Sequence, residues 1–173
     1  MSVEPPFNFC PVCGGPFERR LLKAGEPERL VCAACAFVLY LDPKVAVGTI
    51  IRVSGERILL LKRGIEPGYG KWVFPGGYVD RGEVVERAAL REAREECGLE
   101  VRIDGLIGIY SYHRRLPIVI VYSAHPTGGT LRLDDESLEA RDFSPGEIPW
   151  GDLAFPSTQE ALRDYVEGRI YRR

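Results

Sequence analysis

Three glutamates, Glu92, Glu95 and Glu96, stand between Arg91 and Gly98 in this 173-residue chain. At 3.6 residues per turn, positions i, i+3 and i+4 project from one side of a helix, so the three carboxylates share a face. Like charges at that spacing repel, and a cation that prefers oxygen ligands, Mg2+ or Mn2+, relieves the repulsion. Such a cluster alone is usually a solvated acidic face. The surroundings argue for more: Gly76 and Gly77 come before it, Glu83 lies in the approach, and Arg91 stands where it can pair with Glu83 and fix the loop. From Gly77 to Leu99 the spacing is G-x5-E-x7-R-E-x-x-E-E-x-G-x.

A second constellation lies at the other end of the chain. Cys10, Cys13, Cys32 and Cys35 form C-x2-C-x18-C-x2-C, two tight turns that can each present two thiolates to one tetrahedral Zn2+. The segment is too short for a core of its own, so a metal that supplies folding energy explains it better than redox chemistry does. Four cysteines leave no open coordination position, which favours a structural zinc. Residues 1 to 44 carry five basic side chains (Arg19, Arg20, Lys23, Arg29, Lys44) against five acidic ones (Glu4, Glu18, Glu26, Glu28, Asp42), a balance that argues against a nucleic-acid clamp. The fifth cysteine, Cys97, reads as a small buried hydrophobe.

The elements that must hold these groups follow from the intervening pattern. Val45–Val53 and Ile58–Lys62 are apolar, β-type runs around Ser54-Gly55-Glu56-Arg57, a hairpin signature. Short strands are expected at Trp72–Phe74 and Tyr78–Val79. Helix formers dominate Val84–Cys97, and Gly98 sits where a helix ends on a glycine. Strand character returns at Leu106–Tyr112, Pro117–Ala124 and Ala140–Phe143. Ser157-Thr158-Gln159-Glu160 has the form of a capping box, predicting a second helix after Ser157. Mixed strands and helices point to the α/β (α+β) class, with helices on a mixed sheet, and to two domains, residues 1–41 and 42–173.

Composition narrows the function classes. Hydrophobic residues make up 45% of the chain, enough for a proper core, and the net charge is -2 with 28% charged residues, without the basic excess of a dedicated nucleic-acid binder. No stretch approaches the roughly 18 consecutive apolar residues of a membrane span, and no basic segment followed by an apolar run opens the chain. Paired cysteines that suit metal rather than bridges fit a reducing compartment, so a cytoplasmic protein is expected.

The Gly77–Leu99 pattern resembles the box of the Nudix hydrolases, with Ala93 and Leu99 at its apolar positions. The resemblance implies an α/β/α sandwich in which the Gly76 carbonyl, Glu92, Glu95 and Glu96 bind Mg2+ (or Mn2+) beneath the pyrophosphate of a nucleotide, while Glu83 and Arg91 hold the loop. It also implies a carboxylate that helps deprotonate water: Glu92 is one candidate. Glu136, with Glu139 its competitor, resembles the downstream glutamate that reaches the metals in this family. The cysteine ribbon followed by Asp42-Pro43-Lys44, the box and Glu147-Ile148-Pro149-Trp150…Leu153-Ala154-Phe155-Pro156 is similar to a zinc-ribbon subgroup that includes FAD and ADP-ribose pyrophosphatases. NADH pyrophosphatases share the ribbon, but their Ser-Gln-Pro-Trp-Pro-type motif has no counterpart in Leu99–Ile118, which demotes NADH and NAD-capped RNA. Pro117 stands near, though not at, the place where better-known ADP-ribose pyrophosphatases carry a proline.

Tyr69, Trp72, Phe74, Tyr110 and Tyr112 flank the expected cleft, where an aromatic ring can stack on a base, although aromatic residues on short strands are more often core. Arg52, Lys62 and Arg63 end or follow the hairpin strands and carry no individual assignment. The expected partner is a small nucleotide, with homodimers common among relatives. A non-catalytic ligand sensor and an RNA-cap pyrophosphatase are the competing classes.

Overall fold

The structure, a computed structural model, describes residues 7–113, 117–169 and 171. The chain divides into two compact units, Met1–Pro43 and Lys44–Arg173. In the first, β1 (Phe17–Arg20), β2 (Arg29–Cys32) and β3 (Val38–Leu39) form an antiparallel sheet in the order β1-β2-β3. Among its described residues the interior is little more than Cys10, Val31 and Cys32, so apolar burial alone gives it little stability.

The second unit is built on β4 (Val45–Ser54), β5 (Arg57–Arg63), β6 (Trp72–Val73), β7 (Leu99–Tyr110), β8 (Ile118–Gly129) and β9 (Ser137–Phe143), with α1 (Val85–Cys97) and α2 (Pro156–Val166). The sheet runs β6-β5-β4-β8-β7, and β9 also pairs with β5. β4 and β8 are parallel while the other pairs are antiparallel, so the sheet is mixed. β4 is central and buried on both faces, which is why it reads as a continuous apolar run rather than an alternating one.

The two faces of β4 separate the two helices. Val47, Thr49 and Ile51 face α1, which meets the sheet through Ala88, Ala89, Ala93 and Cys97. These small residues bring the helix backbone close enough for the buried Thr49 hydroxyl to donate to the Ala89 carbonyl at 3.3 Å. On the opposite face, Ile50 joins Ile58, Leu60, Val121 and Ala161 and Leu162 of α2. The α/β/α sandwich follows.

Several elements differ in extent from the sequence reading. β7 begins at Leu99, immediately after α1, and carries three register shifts against β8, which its pattern does not announce. Tyr78 makes only an isolated bridge to Ala46. α2 starts at Pro156 with Phe155 as an uncapped N-cap, so Ser157 is a buried residue of the first turn rather than a cap. Proline's fixed φ and missing N–H suit the first helical position. The capping box occurs instead at Ser144–Glu147, where the Glu147 carboxylate takes both the Ser144 N–H (3.1 Å) and its hydroxyl (2.8 Å).

Candidate active site

The box begins where the chain leaves β6 and runs along the start of β4. Thr49 N–H donates to the Pro75 carbonyl and Val47 N–H to the Gly77 carbonyl, both at 2.8 Å. The alternation of an extended chain turns the Gly76 N–H away from β4, and it donates at 2.8 Å to the Glu96 carboxylate. Both glycines are needed for contact rather than for turning. A Cβ on Gly76 would overlap the Val47 carbonyl, and one on Gly77 would lie 2.5 Å from a Glu92 carboxylate oxygen. The diglycine therefore fits between the β4 backbone and the carboxylates of α1.

Helix α1 ends on Gly98 in the left-handed conformation (φ 70°), with its N–H returned to the Arg94 carbonyl at 3.0 Å. Arg91 is the organising cation. Its guanidinium donates to both Glu83 oxygens at 2.9 Å, to the Tyr78 carbonyl at 3.1 Å, to Glu92 at 2.7 Å and to Glu95 at 2.9 Å. This holds the Glu83 carboxyl down at about 2, first through Arg91 and then through the Asp80 N–H. The carboxylate contacts raise the Arg91 pKa, Glu83 foremost.

Glu96 is the opposite case. Burial pushes its carboxyl up to about 8, opposed by the Gly76 N–H, and the charges of Glu92 and Asp134 push the same way while Arg63 pulls back. Glu92 is also raised, again chiefly by burial. Enclosed oxygen donors that resist ionisation for want of positive charge, with a glycine leaving room for one of them, suit a hard divalent cation. Glu92, Glu95 and Glu96 are the residues of α1 that would hold it, with the Gly76 backbone beside Glu96.

The other expected site residues are distributed as follows. Glu136 is exposed, and its carbonyl accepts from Gly64 N–H at 2.6 Å; Glu139 faces Lys62 at 3.8 Å. Trp72 and Phe74 lie in the α2-side core, Trp72 edge-on to Phe143 at 5.0 Å and Phe74 against Gly48. Tyr110 is buried and donates to Asp164 at 2.8 Å. Tyr112 packs partly buried against the same core, whereas Tyr69 is exposed. Two residues near the carboxylates went unassigned in the sequence: Asp134, and Arg63, whose guanidinium donates to the Pro67 carbonyl at 2.8 Å and lies 5.2 Å from the Phe155 ring. Nothing in their spacing marks them, since both owe their place to contacts distant in sequence.

In the ribbon unit, the sulfurs of Cys10, Cys13, Cys32 and Cys35 all lie within 4.8 Å of one another. Cys10 and Cys35 are 3.7 Å apart, and Cys13 and Cys32 3.5 Å. Four ligands at the ~2.3 Å Zn–S distance of a tetrahedron stand ~3.8 Å apart, so the set fits Zn2+. Backbone N–H groups of Val12 and Cys35 point at the Cys10 and Cys32 sulfurs, and the latter contact chiefly draws the Cys32 thiol down to about 6. Among the described residues no helix is long and apolar enough to cross a membrane.

Comparison with known proteins agrees with this geometry. Residues 42–165 match the family described as NUDIX domain, and residues 8–41 the one described as Nudix N-terminal, a zinc ribbon. An ADP-ribose pyrophosphatase of Methanocaldococcus jannaschii is 40% identical over 132 residues, covering 74% of this chain and 76% of that protein. The NAD-capped RNA hydrolase NudC of Stutzerimonas stutzeri is 31% identical over 167 residues, covering 96% of this chain, which spans only 57% of that relative's length. A crystal structure of a NUDIX hydrolase from Nitrosomonas europaea superposes with a TM-score of 0.86 at 31% identity, covering 96% of this chain and 97% of the other. A glycine-framed carboxylate helix on a mixed sheet, a four-cysteine ribbon before it and family matches to both parts identify the chain as a member of the Nudix hydrolase family, whose enzymes use a divalent metal.

Proposed function

We propose that this protein hydrolyses the pyrophosphate bond of a nucleoside diphosphate joined to a second moiety, ADP-ribose or FAD, giving AMP and a phosphorylated product. The observation that carries the reading is the α1 carboxylate face, locked by Arg91 and closed by Gly76 and Gly77, in a chain 40% identical to an ADP-ribose pyrophosphatase. Mg2+, or Mn2+, held by Glu92, Glu95, Glu96 and the Gly76 carbonyl, would neutralise the pyrophosphate oxygens and make water a stronger acid.

The protein's own groups supply the rest. Arg91 and Glu83 fix the loop so that the carboxylates keep their positions as substrate arrives, which spares reorganisation in the transition state. Glu92, whose proton affinity is raised by burial, is suited to take the proton from the attacking water. Arg63 lies near enough to Glu96 to affect its charge and can meet a phosphate oxygen. Tyr69, exposed on the loop beyond β5, can stack on a base. The zinc of the four-cysteine ribbon is structural, the working form is a homodimer, and the protein acts in the cytoplasm.

A second reading is favoured by one observation: the NudC relative aligns with 96% of the chain, ribbon included. Product analysis after incubation with ADP-ribose, FAD, NADH and NAD-capped RNA, with Mg2+ and then Mn2+, decides. AMP from ADP-ribose or FAD at rates well above those for NADH and capped RNA supports the first reading. Preferential release of reduced nicotinamide mononucleotide from NADH, or of nicotinamide mononucleotide from the cap, replaces it with the second.

A further inference from the structure

The end of the sheet away from the box carries a second constellation of polar side chains. β4 and β8 pair in parallel as far as Ile51 and Ala124, so the next residue of each strand, Arg52 and His125, stand side by side. Alternation from Ile50 and Val121, both in the core under α2, puts Arg52 and His125 on that same face. β7 adds a third group. Arg102 pairs with His125 and Ile103 with Ala124, but Gly105 takes Ser123, which leaves Asp104 as the extra residue of a β-bulge. A bulge re-aims the side chain it carries, and here an Asp104 carboxylate oxygen lies 2.7 Å from the His125 Nδ1.

Arg52, Asp104 and His125 line an open cavity of about 320 Å³, which the Ser54-Gly55 turn of the β4–β5 hairpin and Pro126 complete. That is the lower end of the roughly 300–1,000 Å³ of small-molecule sites, room for a phosphate with a small attached group rather than for a dinucleotide. The His125 and Asp104 side chains are 36% and 35% exposed, so the pair is held in place and still open to a ligand. With Nδ1 held by Asp104, Nε2 is the ring nitrogen that can meet one. The cavity is separate from the carboxylate site. Arg52 stands five residues along β4 from Val47, which bonds the box at Gly77, and that is about 17 Å at the rise of a strand.

We propose that this cavity is a second ligand site, binding a small phosphate monoester through the Arg52 guanidinium and the His125 Nε2–H, with Asp104 as the residue that orients the ring. The donor set selects the anion. Arg52 can take two oxygens as a fork and the imidazolium a third, which matches the three terminal oxygens of a phosphate monoester, whereas a carboxylate has only the two that Arg52 alone would occupy. Asp104 accepts from Nδ1 while Nε2 donates to the ligand, so its charge supports the imidazolium without facing the phosphate oxygens. The inference does not depend on which nucleotide the α1 site cleaves.

The chain has two histidines, His113 and His125, so the imidazole Cε1–H signals in the nuclear magnetic resonance spectrum of the full zinc-loaded protein report on the site, with H125Q identifying the one that matters. Inorganic phosphate and ribose 5-phosphate are titrated in the absence of divalent ions, against sodium chloride at matched ionic strength. The expected result is a saturable shift of the His125 signal with phosphate and not with chloride. R52Q should bind about tenfold or more weakly, the loss of a charge-assisted contact, and D104N should show a smaller loss. Tighter binding of ribose 5-phosphate than of inorganic phosphate assigns the adjoining space to a sugar, and equal binding assigns the site to the phosphoryl group alone. The absence of a saturable shift overturns the proposal, as do an equal response to chloride, an equal shift of His113, and wild-type affinity in R52Q. Hydrolysis by R52Q with Mg2+ should stay within about twofold of wild type, as distant sites act independently, and a larger loss in the folded variant overturns the cavity's separate role. If R52Q does not fold, R52K, which keeps the charge and lacks the fork, is read by the same criteria.

Discussion

Glu96 buried beside Glu92 and Asp134 has a thermodynamic consequence that is separable from catalysis. Its carboxyl titrates near 8 in the folded chain against an ordinary 4.5. Below 4.5 both folded and unfolded chains carry the proton, and between 4.5 and 8 only the unfolded chain gives it up. The folded state therefore binds more protons across that window, and stability falls as pH rises, the loss being complete above 8. The difference of 3.5 between the two values, at about 1.36 kcal/mol per pH unit, sets an upper limit of about 5 kcal/mol. Relaxation and water entry bring this down to about 1–3 kcal/mol.

Glu96→Gln keeps the shape and the oxygen that accepts the Gly76 N–H while removing the ionisation. Thermal melts from pH 6 to 9, in buffer stripped of divalent ions but with the ribbon zinc retained, should show wild type losing about 3–10 °C relative to E96Q as pH rises. Added Mg2+ should restore wild type at pH 9 and leave E96Q unmoved, while hydrolysis by E96Q falls by about a hundredfold or more. Parallel melting curves for the two proteins across pH 6 to 9 would refute the reasoning, because Glu96 would then ionise freely in the folded state.

Other outcomes follow from the same contacts. Gly77→Ala should displace the Glu92 carboxylate, lowering kcat by about tenfold or more with a small loss in Tm, whereas Gly76→Ala, pressed into the β4 backbone, should cost about 2–4 kcal/mol in urea unfolding. Glu83 is held near 2 by Arg91, so its contribution is present above pH 4.5 and lost as pH falls toward 2. The stability gap between wild type and E83Q should close over that window; a constant gap in acid unfolding excludes the pairing as its source. Titrating the cysteines with a mercurial should release one zinc per chain from wild type, the same from C97S, and none that is tightly held from C13S. C97S should bind zinc normally because the Cys97 thiol lies buried, donating to the Ala93 carbonyl at 2.9 Å.

The chemistry-bearing residues were legible in the sequence because each sits in a local pattern. The i, i+3, i+4 glutamates need only a helix to share a face, Gly98 ends that helix for the reason any L-residue would resist φ 70°, and two C-x2-C turns can converge once a hairpin joins them. Helix and strand periods likewise announced β4, β5 and α1. Tertiary structure decided what periodicity cannot carry. It buried Trp72 and Phe74 in the core, because Gly48 leaves a space beside β4 that Phe74 fills. Pro156 moved the start of α2 upstream of Ser157, and the register shifts let β7 run from the end of α1. It let the charges of Asp134 and Arg63, 38 and 33 residues away along the chain, act on Glu96, by bonding the connection between β8 and β9 to the Cys97 carbonyl and the Gly64 N–H and by ending β5 at Arg63. Burial and the field of distant charges raise the Glu96 carboxyl, and neither is a property of any spacing along the chain.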